Sequence, residues 1–295
     1  IFLWCLEAQR KGMVITMKIL VTGSKGMIGS HLVKGLLDAG YEVVGLDRSS
    51  DKERAENYHQ YVVDLADKDR LETILEETKP DRVIHLAALA HAADGKELTW
   101  DDYKHLNVDC AKNVFDAAGD LPVLFISTVD VLGFTTGVVN VSSPMKPVSN
   151  YGRSKMMAEQ EVSKKKRYDI FRFSPVYTDT VKRDIQKRYY LKYPTIAYQI
   201  GKGTEYEILN VNGAVKAMVD WCSEEPKNTV RIIKDEKRMW TPDYIKAEKE
   251  AGRAKIVVRL PVWMVNRGYA FLKGITGENK YTYLLNKAVH PLRSE

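Results

Sequence analysis

Lys18-Ile19-Leu20-Val21-Thr22-Gly23-Ser24-Lys25-Gly26-Met27-Ile28-Gly29 decides the fold of this chain. Lys18–Thr22 reads as a short apolar strand. Ile28, Leu32, Leu36 and Leu37 then recur at helical spacing. A strand that enters a helix through Gly-x-x-Gly-x-x-Gly is a phosphate-binding turn. Gly23 permits the tight turn, Gly26 lets a pyrophosphate approach the backbone, and Gly29 lets the helix pack close to the strand. The helix start at Met27 and Ile28 offers amide N–H groups and a positive dipole end to the phosphates. The bland alternative is an ordinary glycine turn.

Asp47 weighs against that alternative. It ends the next strand, Glu42–Asp47, where a carboxylate binds both ribose hydroxyls and repels a 2′-phosphate. Asp47 therefore argues for NAD. Lys25 and Arg48 argue for NADP, because a cation near the ribose could hold its extra phosphate. Asp47 carries more weight, since it stands where the ribose belongs.

Outward from this unit, short apolar runs alternate with helical ones. Strands are expected at Tyr61–Val63, Arg82–Leu86, Val123–Ser127 and Asp169–Phe173, and helices at Asp67–Thr78, Asn107–Ala118 and Tyr151–Lys166. Strands that are apolar throughout, not at every second position, are covered on both faces. The fold class is therefore α/β, a Rossmann-type doubly wound parallel sheet. Beyond Pro175 the signals thin. A strand is expected at Tyr206–Val211, a helix at Ala214–Trp221, a strand at Val230–Ile233, and a helix starting with Thr241 as cap and Pro242 at its first position. The organisation expected is a dinucleotide-binding domain over 17–175 and a smaller C-terminal substrate lobe over 176–295. Residues 205–235 of that lobe return to the sheet. Ile1–Thr16 reads as an upstream extension outside the fold.

Composition bounds the function. The 295 residues are 44% hydrophobic and 28% charged, which suits a globular enzyme. The net charge of +6 reads as mild and spread over the whole length. It favours an anionic small molecule, and the chain lacks the basic blocks interleaved with aromatics that nucleic acid requires. Lys164–Arg167 reads as the solvated end of a helix. Three separated cysteines, Cys5, Cys110 and Cys222, give neither a disulfide framework nor a metal site, and fit a reducing cytoplasm. No stretch reaches the length of a membrane span.

Tyr151 and Lys155 stand at i and i+4, on one helix face. Oxidising an alcohol requires removal of its proton as hydride leaves. A phenol is a poor base at neutral pH, and a neighbouring ammonium lowers its pKa. Thr128 follows a buried strand, where a hydroxyl faces the ligand crevice of such sheets. A surface Tyr–Lys pair and a plain strand cap are the alternatives. The order glycine loop, Thr128, Tyr151, Lys155 favours the catalytic reading.

Together these residues resemble the extended short-chain dehydrogenase/reductase family, the NAD-dependent epimerase/dehydratase group. The matching motifs are Thr22-Gly23-x-x-Gly26-x-x-Gly29, Asp47, Asp64-Leu65, Val83 to Ala88, Asn107, Ser127-Thr128, Tyr151-x-x-x-Lys155 and Arg172-x-Ser174-Pro175. The resemblance implies that Asp64 and Leu65 border the adenine, and that Leu86, Ala87, Ala88 and Asn107 line the cofactor cleft. It places Lys155 on the nicotinamide ribose and Pro175 near the nicotinamide. Thr128, Tyr151 and Ser174 would meet the substrate, a nucleotide sugar. A homodimer through two helices per subunit is usual in the family. Two departures stand out. Val129-Asp130 replaces the Asp-Glu that dehydratases use for water loss, and Asn212-Gly213 falls where two acids are common. The segment 178–200, with Arg183, Lys187 and Arg188, reads equally as a diphosphate grip or as a solvated face. The function expected is an NDP-sugar epimerase. A sugar dehydrogenase or reductase of the same fold is the alternative, and a non-catalytic dinucleotide-binding protein comes last.

Overall fold

The computed structural model describes residues 16–50, 56–90, 98–134 and 137–295. Seven strands form one sheet: β1 (Lys18–Thr22), β2 (Glu42–Asp47), β3 (Tyr58–Val62), β4 (Arg82–His85), β5 (Val123–Thr128), β6 (Tyr168–Phe173) and β7 (Val230–Ile233). Their order is β7-β6-β5-β4-β1-β2-β3, and the pairings are parallel. The chain winds outward from β1 through β2 and β3, then returns to β4 on the other side of β1. Such a reversal opens a crevice above the carboxyl ends of β1 and β4.

Helices cover both faces, which explains why β4 is buried at every position. They are α1 (Met27–Asp38), α2 (Lys68–Thr78), α3 (Trp100–Lys104, His105–Asp109 and Cys110–Ala117), α4 (Asn150–Val162) and α5 (Val211–Ser223). One core cluster joins Leu71 and Ile74 of α2, Val114 and Phe115 of α3, and Ala158 and Val162 of α4 to the sheet. The other joins Leu32 and Leu36 of α1 to Met218 and Trp221 of α5. A buried Leu or Phe stabilises by about 1.5–3 kcal/mol. The helix α3 runs as Trp100–Lys104, a π turn at His105–Asp109, and Cys110–Ala117. π turns are single-turn bulges frequent at functional sites, and this one carries Asn107.

A separate three-stranded sheet pairs Tyr190–Lys192, Ile196–Ile200 and Ile256–Leu260. It packs with α6 (Thr241–Glu250) around Tyr189, Ala197, Met239 and Ile245. The last helices are α7 (Val262–Thr276) and α8 (Lys280–Val289). No helix among the described residues is long and apolar enough to cross a membrane.

Several expectations move. Tyr206–Val211 is not one strand. Glu205–Tyr206 pairs with Met239–Trp240, and Leu209–Asn210 pairs with Val176–Tyr177. Within 205–235, the sheet is rejoined by β7, and α5 packs on it through its apolar face. Trp240, not Thr241, caps α6. The Thr241 hydroxyl instead accepts from the Thr204 N–H at 2.9 Å, while the Thr241 N–H donates to the Thr204 carbonyl. The third strand starts earlier, at Tyr58, and α4 ends at Val162. Beyond it, the Lys165 ammonium donates to the Phe115 and Gly119 carbonyls, so it caps the neighbouring α3. Cys110 and Cys222 are buried hydrophobes, with thiols pushed up to about 11 and about 12 by burial. The upstream extension and Cys5 lie outside the described residues, apart from Thr16.

Candidate active site

The glycine loop has the geometry its spacing predicts. Gly23 sits at φ +70°, and a Cβ there would lie 2.9 Å from the Ala87 backbone. A Cβ on Gly29 would lie 2.0 Å from the Gly23 carbonyl oxygen, so α1 approaches β1 as only glycine allows. Gly26 caps α1 without any side-chain hydrogen bond. The first helical bond is Ser30 N–H to the Gly26 carbonyl at 2.9 Å, which leaves the Met27, Ile28 and Gly29 amides outside the ladder. The Met27 side chain is exposed, and Ile28 packs against the core, so both serve through their backbone.

A cavity of about 210 Å³ opens over this loop. Gly23, Gly26, Asp47, Asp64, Leu65, Leu86, Ala87 and Ala88 line it, together with Arg48 and Cys110. One Asp47 oxygen accepts from the Lys25 N–H at 3.0 Å, and the other from the Ser49 N–H and hydroxyl at 3.1 and 2.9 Å. A carboxylate has roughly four acceptor positions, so these contacts orient Asp47 and leave it acceptor capacity. The exposed Asp64 accepts from the Ala66 N–H at 2.9 Å, and half-buried Leu65 packs on the core. A diphosphate on free amides, a carboxylate at the ribose and an apolar wall for a base suit a nicotinamide dinucleotide.

The remaining predicted residues are not among those lining the cavity. They continue along the same sheet edge. Asn107 is a clamp: its oxygen accepts from the Leu89 N–H at 2.6 Å, and its amide donates to the Leu89 carbonyl and to the Ser154 hydroxyl at 3.0 and 2.9 Å. It ties the exit of β4 to α4, and both amide protons are committed. The Thr128 hydroxyl oxygen accepts from the Asp130 N–H at 3.2 Å, which leaves its proton available to a substrate oxygen. A Cβ on Gly152 would lie 2.8 Å from the Asp130 carbonyl, so this glycine brings α4 close against the turn after β5. Pro175 is half-buried, its carbonyl accepting from the Leu209 N–H. The buried Ser174 hydroxyl and His85 Nε2 have no hydrogen-bond partner among the described residues. Buried polar atoms without a partner are uncommon, and Gln60 Oε1 and the Tyr189 hydroxyl are two more.

Tyr151 and Lys155 share one helix face but differ in depth. The sequence predicts that Lys155 lowers the Tyr151 phenol, and the structure reverses this. Burial first, then Asp130 and Asp184, hold the half-buried Tyr151 phenol above its usual range. Lys155 is only 1% exposed, and its Nζ lies 4.0 Å from the centre of the Phe125 ring. Burial pushes its ammonium down to about 7. The Lys155 charge reaches His85, the last residue of β4. Burial and that charge push His85 down to about 3, so it is neutral, and its Nδ1 lies 2.8 Å from the Thr22 hydroxyl at the end of β1.

Two clusters go beyond the sequence reading. Glu159, one turn after Lys155, accepts from Ser127 Oγ at 2.5 Å and from Arg172 Nε and Nη2 at 3.0 and 2.8 Å. It pins α4 to β5 and β6. Asp130 binds Lys287 Nζ at 2.5 Å and the Tyr283 hydroxyl at 3.3 Å, both from α8. Burial raises the Asp130 carboxyl, and Lys287, Tyr283 and Arg188 outweigh it to hold the carboxyl low. The segment 178–200 is thus divided. Arg188 stacks on Tyr206 and turns its charge to this cluster, while Arg183 and Lys187 are solvated. The i, i+4 spacing of Tyr283 and Lys287 was the available signal, but their partner stands more than 150 positions away.

A sheet of this order, with a glycine loop at its reversal and a Tyr–Lys helix beside it, defines a dinucleotide-dependent enzyme of the short-chain dehydrogenase/reductase type. The model of the NAD dependent epimerase/dehydratase family matches residues 19–223, and the chain belongs to that family. NAD is the cofactor of the family. A UDP-glucose 4-epimerase of Oryza sativa subsp. japonica is 32% identical over 158 residues, covering 48% of this chain and 43% of that protein. The Bacillus subtilis UDP-glucose 4-epimerase is 31% identical over 159 residues, covering 49% and 46%. The chain therefore spans about half the length of the curated relatives it matches. A crystal structure of UDP-glucose 4-epimerase from Thermotoga maritima with UDP-glucose superposes with TM-score 0.67 and 25% identity, over 83% of this chain and 86% of that one.

Proposed function

We propose that the protein is an NAD-dependent epimerase of a nucleoside-diphosphate sugar, acting through a transient keto-sugar. One observation carries the reading. A cavity built on the glycine loop and Asp47 opens at the carboxyl edge of the sheet, the edge on which Thr128 ends β5 and Ser174 follows β6, with the Tyr151 helix packed against the turn after β5. When bound, NAD supplies the acceptor and donor of hydride. Thr128 donates a hydrogen bond to the reacting sugar oxygen and holds it. Tyr151 takes the proton from that oxygen and returns it. Lys155, buried one turn further along the same helix with its ammonium pushed down to about 7, would hold the nicotinamide ribose in its protonated form. Water loss is disfavoured. Val129 has no acidic group, and Asp130 is held anionic by Lys287, so it is a poor proton donor.

The test is a mass-spectrometric and NMR scan of nucleotide sugars incubated with the protein. An isomer formed without net NADH supports the epimerase. Net NADH consumption would assign a reductase, and loss of 18 Da, the mass of one water, a dehydratase. Failure of every sugar tested, with NAD bound, would remove the nucleotide-sugar reading.

A further inference from the structure

The helix α7 carries two apolar stripes. Val265, Tyr269 and Leu272 turn toward the body and are half-buried. Met264, Phe271 and Ile275, at spacings of seven and four, form a second row about 100° round the helix, with Trp263 at its margin. Trp263 is 62% exposed, Phe271 70% and Ile275 67%. Leu284 of α8 adds 58%. Single exposed apolar residues need no explanation. A continuous row of them on a helix with no fully buried residue indicates a surface that something covers.

Charge identifies the cover. Residues 251–295 contain eight Lys or Arg against two Glu, a net of +6, which equals that of the whole chain. The excess is therefore not spread along the length, and the first 250 residues balance. Arg259 and Arg267 are exposed and form no ion pair among the described residues. Arg267 lies 5.6 Å over the Trp263 ring. Glu278 is already taken by Lys273 at 3.0 Å. A second copy on this face would bring two such basic segments together. An apolar row of Trp, Phe, Ile and Met flanked by arginines instead matches a helix lying in an anionic membrane interface.

We propose that α7, with the adjoining face of α8, docks the protein peripherally on anionic lipid. The helix has 15 residues, about 22 Å of length, too short for the roughly 30 Å hydrocarbon core. It therefore lies in the interface plane. The test uses the full chain and sedimentation with vesicles of mixed phosphatidylcholine and phosphatidylglycerol. Binding is expected to fall at least about tenfold on pure phosphatidylcholine or at about 1 M salt. Phe271→Asp with Ile275→Asp, both at exposed positions, should keep the melting temperature and lose binding about tenfold or more. Arg259→Gln and Arg267→Gln should each weaken it about fivefold. The proposal is overturned if the wild type fails to bind mixed vesicles, or if the Asp variant binds as well as wild type. It is equally overturned if the protein is a concentration-dependent dimer that those substitutions make monomeric.

Discussion

Glu159→Gln is expected to loosen the helix that carries Tyr151 and Lys155. The Glu159 and Arg172 side chains are 4% and 3% exposed, so neither charge has water to fall back on. The substitution keeps the shape but removes the charge, and leaves the guanidinium with the Val141 carbonyl at 3.2 Å and Met145 Sδ at 3.1 Å. Removing one partner of a buried pair costs about 3–5 kcal/mol. At roughly 2–4 °C per kcal/mol for a chain of this size, the melting temperature should fall by roughly 6–20 °C. Arg172→Met in the same chain removes the stranded charge and should restore most of the loss. Circular dichroism melting of the wild type, both single variants and the double variant gives the coupling directly. A cost below about 1 kcal/mol for Glu159→Gln, or a double variant weaker than the sum of the singles, would refute the anchoring argument.

Tyr151→Phe should retain NAD binding and lose most turnover. Turnover close to wild type would remove Tyr151 as the proton carrier. Asp47→Ala should narrow the preference for NAD over NADP in competitive binding, and an unchanged preference would mean that Arg48 or Lys25 sets it. Lys155→Met tests the buried ammonium through pH. A Lys whose folded pKa is about 7, against 10.5 unfolded, makes the unfolded state bind more protons between those values. Stability should therefore rise with pH across that window. Measured by urea unfolding from pH 7 to about 9, the wild type should gain stability relative to Lys155→Met, and parallel curves would contradict the burial of its charge.

The dinucleotide half of the molecule was legible because its signals are local. The glycine spacing, the continuous apolar strands and Asp47 each encode a feature made within a few residues; β1 and β2 begin and end where the pattern puts them, and α1 falls between them where the apolar spacing is helical. The Tyr–Lys pair was half legible. Spacing fixes the shared face, but Phe125, on another strand, decides that Lys155 sinks inward. Asp130 with Lys287, and Glu159 with Arg172, join elements distant in sequence, and no periodicity reports such contacts. The start of α6 moved for the same reason: Thr241 has the chemistry of a cap, yet its hydroxyl is claimed by Thr204.

The π turn at His105–Asp109 makes the site sensitive to chain length as well as to composition. It winds one surplus residue into α3, so Asn107 reaches Leu89 while Trp100, about two turns earlier, keeps Arg153 stacked 4.1 Å above its ring. Loss of a single codon within 105–109 would remove the surplus residue, so that the flanking turns would keep their alignment while the bulge that presents Asn107 to Leu89 would be lost. Every side chain type would survive such a deletion, but the crevice exit and the tyrosine helix would lose their common fastening.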